Sequence, residues 1–521
     1  MKKTVITDVL VIGAGAAAAR AAVEAAASGA QVDLVDKGKF GESGSSPACL
    51  HGLAATFNKE DSPDLFFDDW IRSGGYINDQ NLVWEAITQS QKAVEGLEAM
   101  GMEFLKNPDG SRLLYRGAGH TVARGLTIKF PSVVAILRRE AEKRGVRIHE
   151  GVMITKLLKK NNQVIGAVGI SKNGDFSFFG AKAVILAAGG ANRLYPNIAP
   201  YIVDPKYRTT GDGFGLAIAA GAPLIDMEFT QFRDSPPGAA RFGGKYLNAL
   251  GERFMEKYDP QALEKAPRSR VVEAIYREIM AGRGPIMWKV EGIKEEEVDL
   301  PFAKEYVHQQ QVEITIDFQR VLGGARINER AETPVMGLFA AGESSGGVHG
   351  GDRMQGNAFL ETQVFGANAG RNAAALALHM ERKNIRTAEV DEEEAGIARI
   401  RGNIDPLEIT HIVQKTMWEQ VGVIRDRVSL SDAIAKFEQI GEEMVPRLSG
   451  DDLFAALETT HLVLTAEIVA KAALTREETR RTQIRTDYPT TENDSWLKHV
   501  CINSRGKEII VSTMPIVNRP K

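Results

Sequence analysis

The chain has 521 residues, too long for a single core, and divides into two or three domains. Its formal charge of −4 gives no basic surface for nucleic acid, and no apolar run approaches the ~20 residues a bilayer requires, so no direct membrane insertion is expected. Only Cys49 and Cys501 are present, too few for an iron–sulfur cluster or a disulfide framework. A reducing cytoplasm is the expected compartment, and no metal site is expected.

The stretch from Thr7 to Asp36 reads as a strand, a glycine turn, a helix and a second strand. Asp8 to Ile12 is a β-branched run entering GAGAAA, with Gly13, Gly15 and Ala18 at the spacing of a dinucleotide turn. Gly13 permits the tight turn, Gly15 lets backbone N–H groups approach a pyrophosphate, and Ala18 keeps helix and strand close. Asp36 ends the second strand, where a carboxylate suits a ribose hydroxyl. A secretory signal is the competing reading of Lys2, Lys3 and the alanine-rich run, and Asp8 within the run argues against it.

The next segment, KGKFGESGSSPACLHGLAATF, is rich in Gly and Ser and reads as a cofactor-covering loop, with His51 structural. Residues 62 to 106 carry helical periodicity and predict two helices, and Val133 to Gly145 predicts an amphipathic third. From Val146 onward a run of strands with tight turns predicts a meander inserted in the first domain, and Ala183 to Gly190 a buried strand ending against the cofactor. Arg353, in the glycine loop from His349 to Asn357, is a cation where a helix dipole prefers anions, which points to an anion converging there.

AVILAAGG, TGDGFGLAIAAGA, MEFTQF, GERFM, GLFAAGE and GGVHGGDRMQGNAF follow one another in an order that resembles the flavoprotein subunit of fumarate reductase and succinate dehydrogenase. L-aspartate oxidase and adenylylsulfate reductase are relatives of that family. The resemblance covers nearly the whole chain and implies an α/β fold: a Rossmann-type FAD-binding domain interrupted by an α+β capping domain and followed by a C-terminal helical domain. The boundaries it suggests are 1–227 and 328–390 for the FAD-binding domain, 228–327 for the cap, 391–485 for the helical domain and 486–521 for a tail.

The resemblance implies FAD held by Gly13, Gly15, Ala18, Asp36, Lys37, Ser43, Gly44, Ser45, Gly189, Gly211, Asp212, Glu343 and Asn357. The position aligned with covalent attachment falls near Ser46, with no His-Thr pair, so the FAD is expected to be non-covalent. Arg268 in KAPRSRVVEAI matches the proton-donating arginine, with Arg270 as the alternative, and Arg353 matches the carboxylate-binding one. Arg233 stands where the family has one substrate histidine and Gln319 where it has the other; PPGAARFGG lacks the family's relay glutamate.

Arg233, Arg268 and Arg353 favour an anionic small-molecule substrate, because guanidinium pairs bidentately with oxyanions. These departures imply an FAD-dependent oxidoreductase whose substrate is anionic but neither fumarate nor succinate. A separate iron–sulfur electron-transfer subunit would exchange its electrons, and any membrane association would come through partner subunits. The alternative is an electron-transfer FAD subunit with no substrate chemistry of its own.

Overall fold

A computed structural model describes residues 3–47, 51–129, 132–196, 209–236, 243–290, 306–381, 388–506 and 508–519. At its centre lies a parallel five-stranded sheet in the order Leu338–Ala340, Ala183–Leu186, Val9–Ile12, Val32–Asp36 and Arg147–Glu150. All four residues of Val9–Ile12 are buried, as a strand covered on both faces requires.

The alanine run forms helix Ala16–Ala27, which packs along the long helix Asn357–His379. Small residues are needed there because the two backbones nearly touch. A Cβ at Gly366 would stand 2.7 Å from Ala17 O, and one at Gly370 would stand 2.3 Å from Ala21 O. Ala18 is fully buried in this layer.

The expected meander is present as a four-stranded sheet in the order Lys3–Ile6, Phe176–Gly180, Gln163–Ser171, Val152–Lys160. It begins later than the sequence suggests. Gly151, at φ +70°, turns the chain, so Arg147–Glu150 stays in the parallel sheet and only Val152 onward enters the meander. The segment read as two helices holds three, Pro63–Ser73, Gln80–Thr88 and Ser90–Ala99, because Gly74 and Gly75 break the first periodic run. The loop after Asp36 is not wholly irregular either: His51–Ala54 pairs with Gly125–Thr127. Cys49 lies outside the described residues.

Between Met227 and Ile327 the chain builds an antiparallel sheet in the order Thr230–Ser235, Gln311–Val321, Ile286–Lys289, Lys245–Leu247, with helix Arg268–Met280 packed on it. This is the α+β unit interrupting the Rossmann-type domain. Further on, helices Pro406–Gln420, Arg427–Gln439 and Leu453–Thr475 pack together, with Asp405, Asp426 and Asp452 each accepting first-turn N–H groups.

Leu453–Thr475 is long and apolar enough to cross a membrane by length and composition, contrary to the sequence reading. In the structure its buried face packs on its neighbours, and its charged groups pair within the protein, Glu458 with Lys37 and Glu467 with Lys471. The segment read as a tail forms a hairpin, Lys498–Arg505 with Glu508–Pro515. That hairpin completes a sheet in the order Ser345–Gly346, Gly324–Arg326, Leu224–Ile225, Lys498–Arg505, Glu508–Pro515.

Candidate active site

The carboxyl ends of the parallel strands open into a cavity of about 1820 Å³, larger than the ~300–1,000 Å³ usual for one small ligand. Its wall includes one group made of Gly13, Gly15, Asp36, Lys37, Ser43, Gly44, Ser45, Gly189 and Glu343, and a second made of Arg233, Arg268, Gln319, Arg320, Asp352 and Arg353. The parallel sheet supplies the first group, and the cap with the loop before Asn357 supplies most of the second.

Gly13 has φ +111°, and a Cβ there would stand 2.2 Å from Ala187 O, so only glycine lets the first strand turn beside its neighbour. Ser46, the position aligned with covalent attachment, accepts from Ala16 N at 3.0 Å and so caps the first helix from the loop. Asp36 Oδ1 accepts from Gly38 N at 2.7 Å and Ser43 Oγ at 3.0 Å, and burial pushes its carboxyl above the usual carboxylate range.

Glu343 Oε1 is buried with no hydrogen-bond partner, and burial raises its carboxyl too, against the opposing charge of Arg320. An orphaned buried acid beside a glycine cradle fits a polar cofactor that supplies the missing hydrogen bonds. FAD fits on both counts, with hydroxyl and pyrophosphate groups for Asp36, Glu343 and the start of the first helix.

Other expected cofactor residues stand apart from the wall. Lys37 Nζ lies 2.7 Å from Asp212 Oδ2 and 2.6 Å from Glu458 Oε1, so the lysine at the wall is neutralised by protein carboxylates. Burial opposes the charge on Lys37, yet the two acids hold its pKa above the ordinary value. For Asp212 burial is again opposed, and Lys37 with His461 holds it far below. Gly211 adopts φ +85° at the start of helix Asp212–Ala220 and donates to Gly190 O at 3.0 Å, a backbone role behind the wall. Ala18 and Asn357 are likewise fully buried behind it.

In the second group Arg353 is fixed on three sides. Its Nε donates to Gln231 Oε1 at 3.1 Å, its Nη1 to Met354 O at 3.1 Å and its Nη2 to Gln319 Oε1 at 2.9 Å. Gln319 therefore orients an arginine. Asp352 accepts from Gln231 Nε2 at 2.5 Å and, more weakly, from Ser269 N at 3.5 Å, which sets a carboxylate at the positive end of the Arg268–Met280 helix.

Arg268 is the first residue of that helix, and its Nη1 is buried without a hydrogen-bond partner. Arg270 faces away: it donates to Tyr258 O, pairs with Glu273 at 2.7 Å and is absent from the cavity wall. Of the two candidates, only Arg268 reaches the cavity. Arg233 lies 4.0 Å from Asp317, whose carboxyl is raised by burial.

On the cavity wall, His120 receives a hydrogen bond on Nδ1 from Arg124 Nη1 at 3.2 Å and donates from Nε2 to Gln355 O at 2.8 Å. Burial lowers its pKa to about 4, so the ring is neutral. Gln231, Asp352 and His120 carry no separate signal in the sequence. Gln231 and Asp352 adjoin motif arginines or stand within motifs, whereas His120 is far from all of them in the chain.

Residues 8–359 match the FAD binding domain family, and residues 411–520 match the family described as fumarate reductase flavoprotein C-term. A protein of Methanothermobacter marburgensis, one of the subunits of its fumarate reductase (CoM/CoB), is 35% identical, over 96% of this chain and 97% of that one. The succinate dehydrogenase flavoprotein subunit of Coxiella burnetii is 26% identical, over 99% and 97%. A variant of E. coli quinol fumarate reductase FrdA superposes with a TM-score of 0.90 at 25% identity, covering 99% of this chain and 98% of its own. The chain therefore belongs to the fumarate reductase and succinate dehydrogenase flavoprotein family, and it is an FAD-dependent oxidoreductase.

Proposed function

We infer that this enzyme moves a hydride between FAD and a carbon of an anionic organic acid, with Arg268 exchanging the accompanying proton. The observation that carries the reading is the buried, unpartnered Nη1 of Arg268 on the same cavity as the Gly13 cradle and Glu343. FAD, when bound, supplies the group that accepts or gives up the two electrons. Arg353, held flat by Gln231 and Gln319, is oriented to grip a carboxylate with whatever face those amides leave open. Arg233 adds a second cation where an imidazole would have donated a single hydrogen bond.

Arginines in place of imidazoles favour an acid other than fumarate or succinate. The name of the Methanothermobacter relative favours fumarate itself, and one assay decides. With reduced viologen as donor, fumarate turnover should fall at least about a hundredfold short of an ordinary enzyme's ~10 s⁻¹. Turnover near that rate would establish fumarate as substrate and Arg233 and Gln319 as adequate replacements.

The chain's two cysteines cannot ligate a cluster, so on this reading electrons are exchanged with a separate partner, which we take to be an iron–sulfur subunit.

A further inference from the structure

Eight non-glycine residues among those described have positive φ, and Arg481, at φ +53°, is the one that lines the cavity. A long side chain in this backbone region is strained, and strain of that kind persists where the surroundings enforce it. Here they do. A Cβ at Gly75 would stand 3.0 Å from Arg481 Cγ, and a Cβ at Gly351 would stand 3.1 Å from Arg481 Cβ, so two glycines make room for the stem.

The head is anchored as well. Arg481 Nη2 donates to Arg72 O, while the adjacent Thr482 donates from N and Oγ1 to Gly351 O at 3.2 and 3.0 Å. Gly351 N in turn donates to Gly74 O at 2.8 Å. Three loops thus meet at Arg481, and the same Gly351 loop carries Asp352 and Arg353. Arg480 and Arg72, its neighbours, are neutralised by Glu478 and Asp69. Arg481 has no such direct pair among the described residues; Asp352 acts on it through charge alone.

We propose that Arg481 is a specificity-determining residue, placed to bind a second anionic group on the substrate while Arg353 holds the first carboxylate. A dianion would engage both arginines, whereas a monoanion would leave Arg481 without an anionic partner. The proposal rests on the reading of the cavity as a substrate site.

The test is an equilibrium titration of the FAD-loaded protein, followed by flavin absorbance, with acetate, malonate and glutarate as probes. In the wild type at least one dianion should bind more tightly than acetate. Arg481→Gly should weaken that dianion about tenfold or more, the effect of one lost charge-assisted hydrogen bond, and leave acetate within about twofold. Glycine suits the backbone at this position, so the variant should fold and show an unchanged or higher melting temperature. Arg481→Lys, which keeps the charge, should recover part of the dianion affinity.

Equal dianion binding in wild type and Arg481→Gly would overturn the proposal, as would an equal weakening of acetate or no preference for either dianion. Arg353→Gln is the control for the underlying reading: if acetate binds it as tightly as the wild type, the cavity is not the carboxylate site, whatever Arg481 does. No spectral response to any of the three probes in the wild type would overturn both.

Discussion

Arg268 and Arg353 approach one cavity from different elements, and their shared charge has a spectroscopic consequence. The proposed function requires both to face flavin N5, where two cations would stabilise an added anion, so on that reading sulfite should bleach the oxidised flavin of the wild type. Arg268→Ala and Arg353→Ala should each weaken the adduct without lowering flavin content; equal bleaching in all three proteins would remove both arginines from the flavin. His120 makes a separate prediction. Its folded pKa, about 4, lies below the ordinary 6.5, so the unfolded chain binds more protons between those values. The neutral ring's contribution is complete above pH 6.5 and is lost as pH falls toward 4, a difference of about 3 kcal/mol. His120→Gln, whose amide can still donate to Gln355 O, should show a flatter decline of melting temperature over that window. An identical slope would mean that other groups control acid stability.

The contact between helices Ala16–Ala27 and Asn357–His379 is where packing tolerates least. Gly370→Ala should destabilise the protein by about 1–3 kcal/mol, because the new methyl meets Ala21 O and must push two backbones apart. A neutral effect on chemical denaturation would show that the helices separate freely. These elements are legible in the sequence because their patterns are local: the glycine turn, the alanine helix and Asp36 all follow from short-range spacing. The pattern of Arg147–Glu150 fixes a strand but not its partner, which is why the sequence alone puts it in the meander. Gln319 can be seen as a lost histidine, yet its hydrogen bond to Arg353 cannot, since the two residues meet only through folding. The same holds for Arg481, whose place on the cavity depends on the backbone and the two facing glycines.

Among the described residues the glycine cradle and the arginines line one shared cavity, with the Ser46 hydroxyl occupied at the start of the first helix. Acid precipitation should therefore release the flavin to the supernatant. Colour retained in the pellet would mean a covalent bond through another residue. The sheet that ends with the Lys498–Arg505 hairpin holds Leu224–Ile225, which leads into the cap, beside Gly324–Arg326, which leads out of it. On a ribosome those two strands, which pair with each other, are made long before Lys498–Arg505, so the outer edge of Leu224–Ile225 at the root of the cap stays unpaired while the helical unit is still being synthesised. Nascent chains should become resistant to protease cleavage near Met227 only after the final hairpin has emerged, and the flavin should be captured securely at that same late moment.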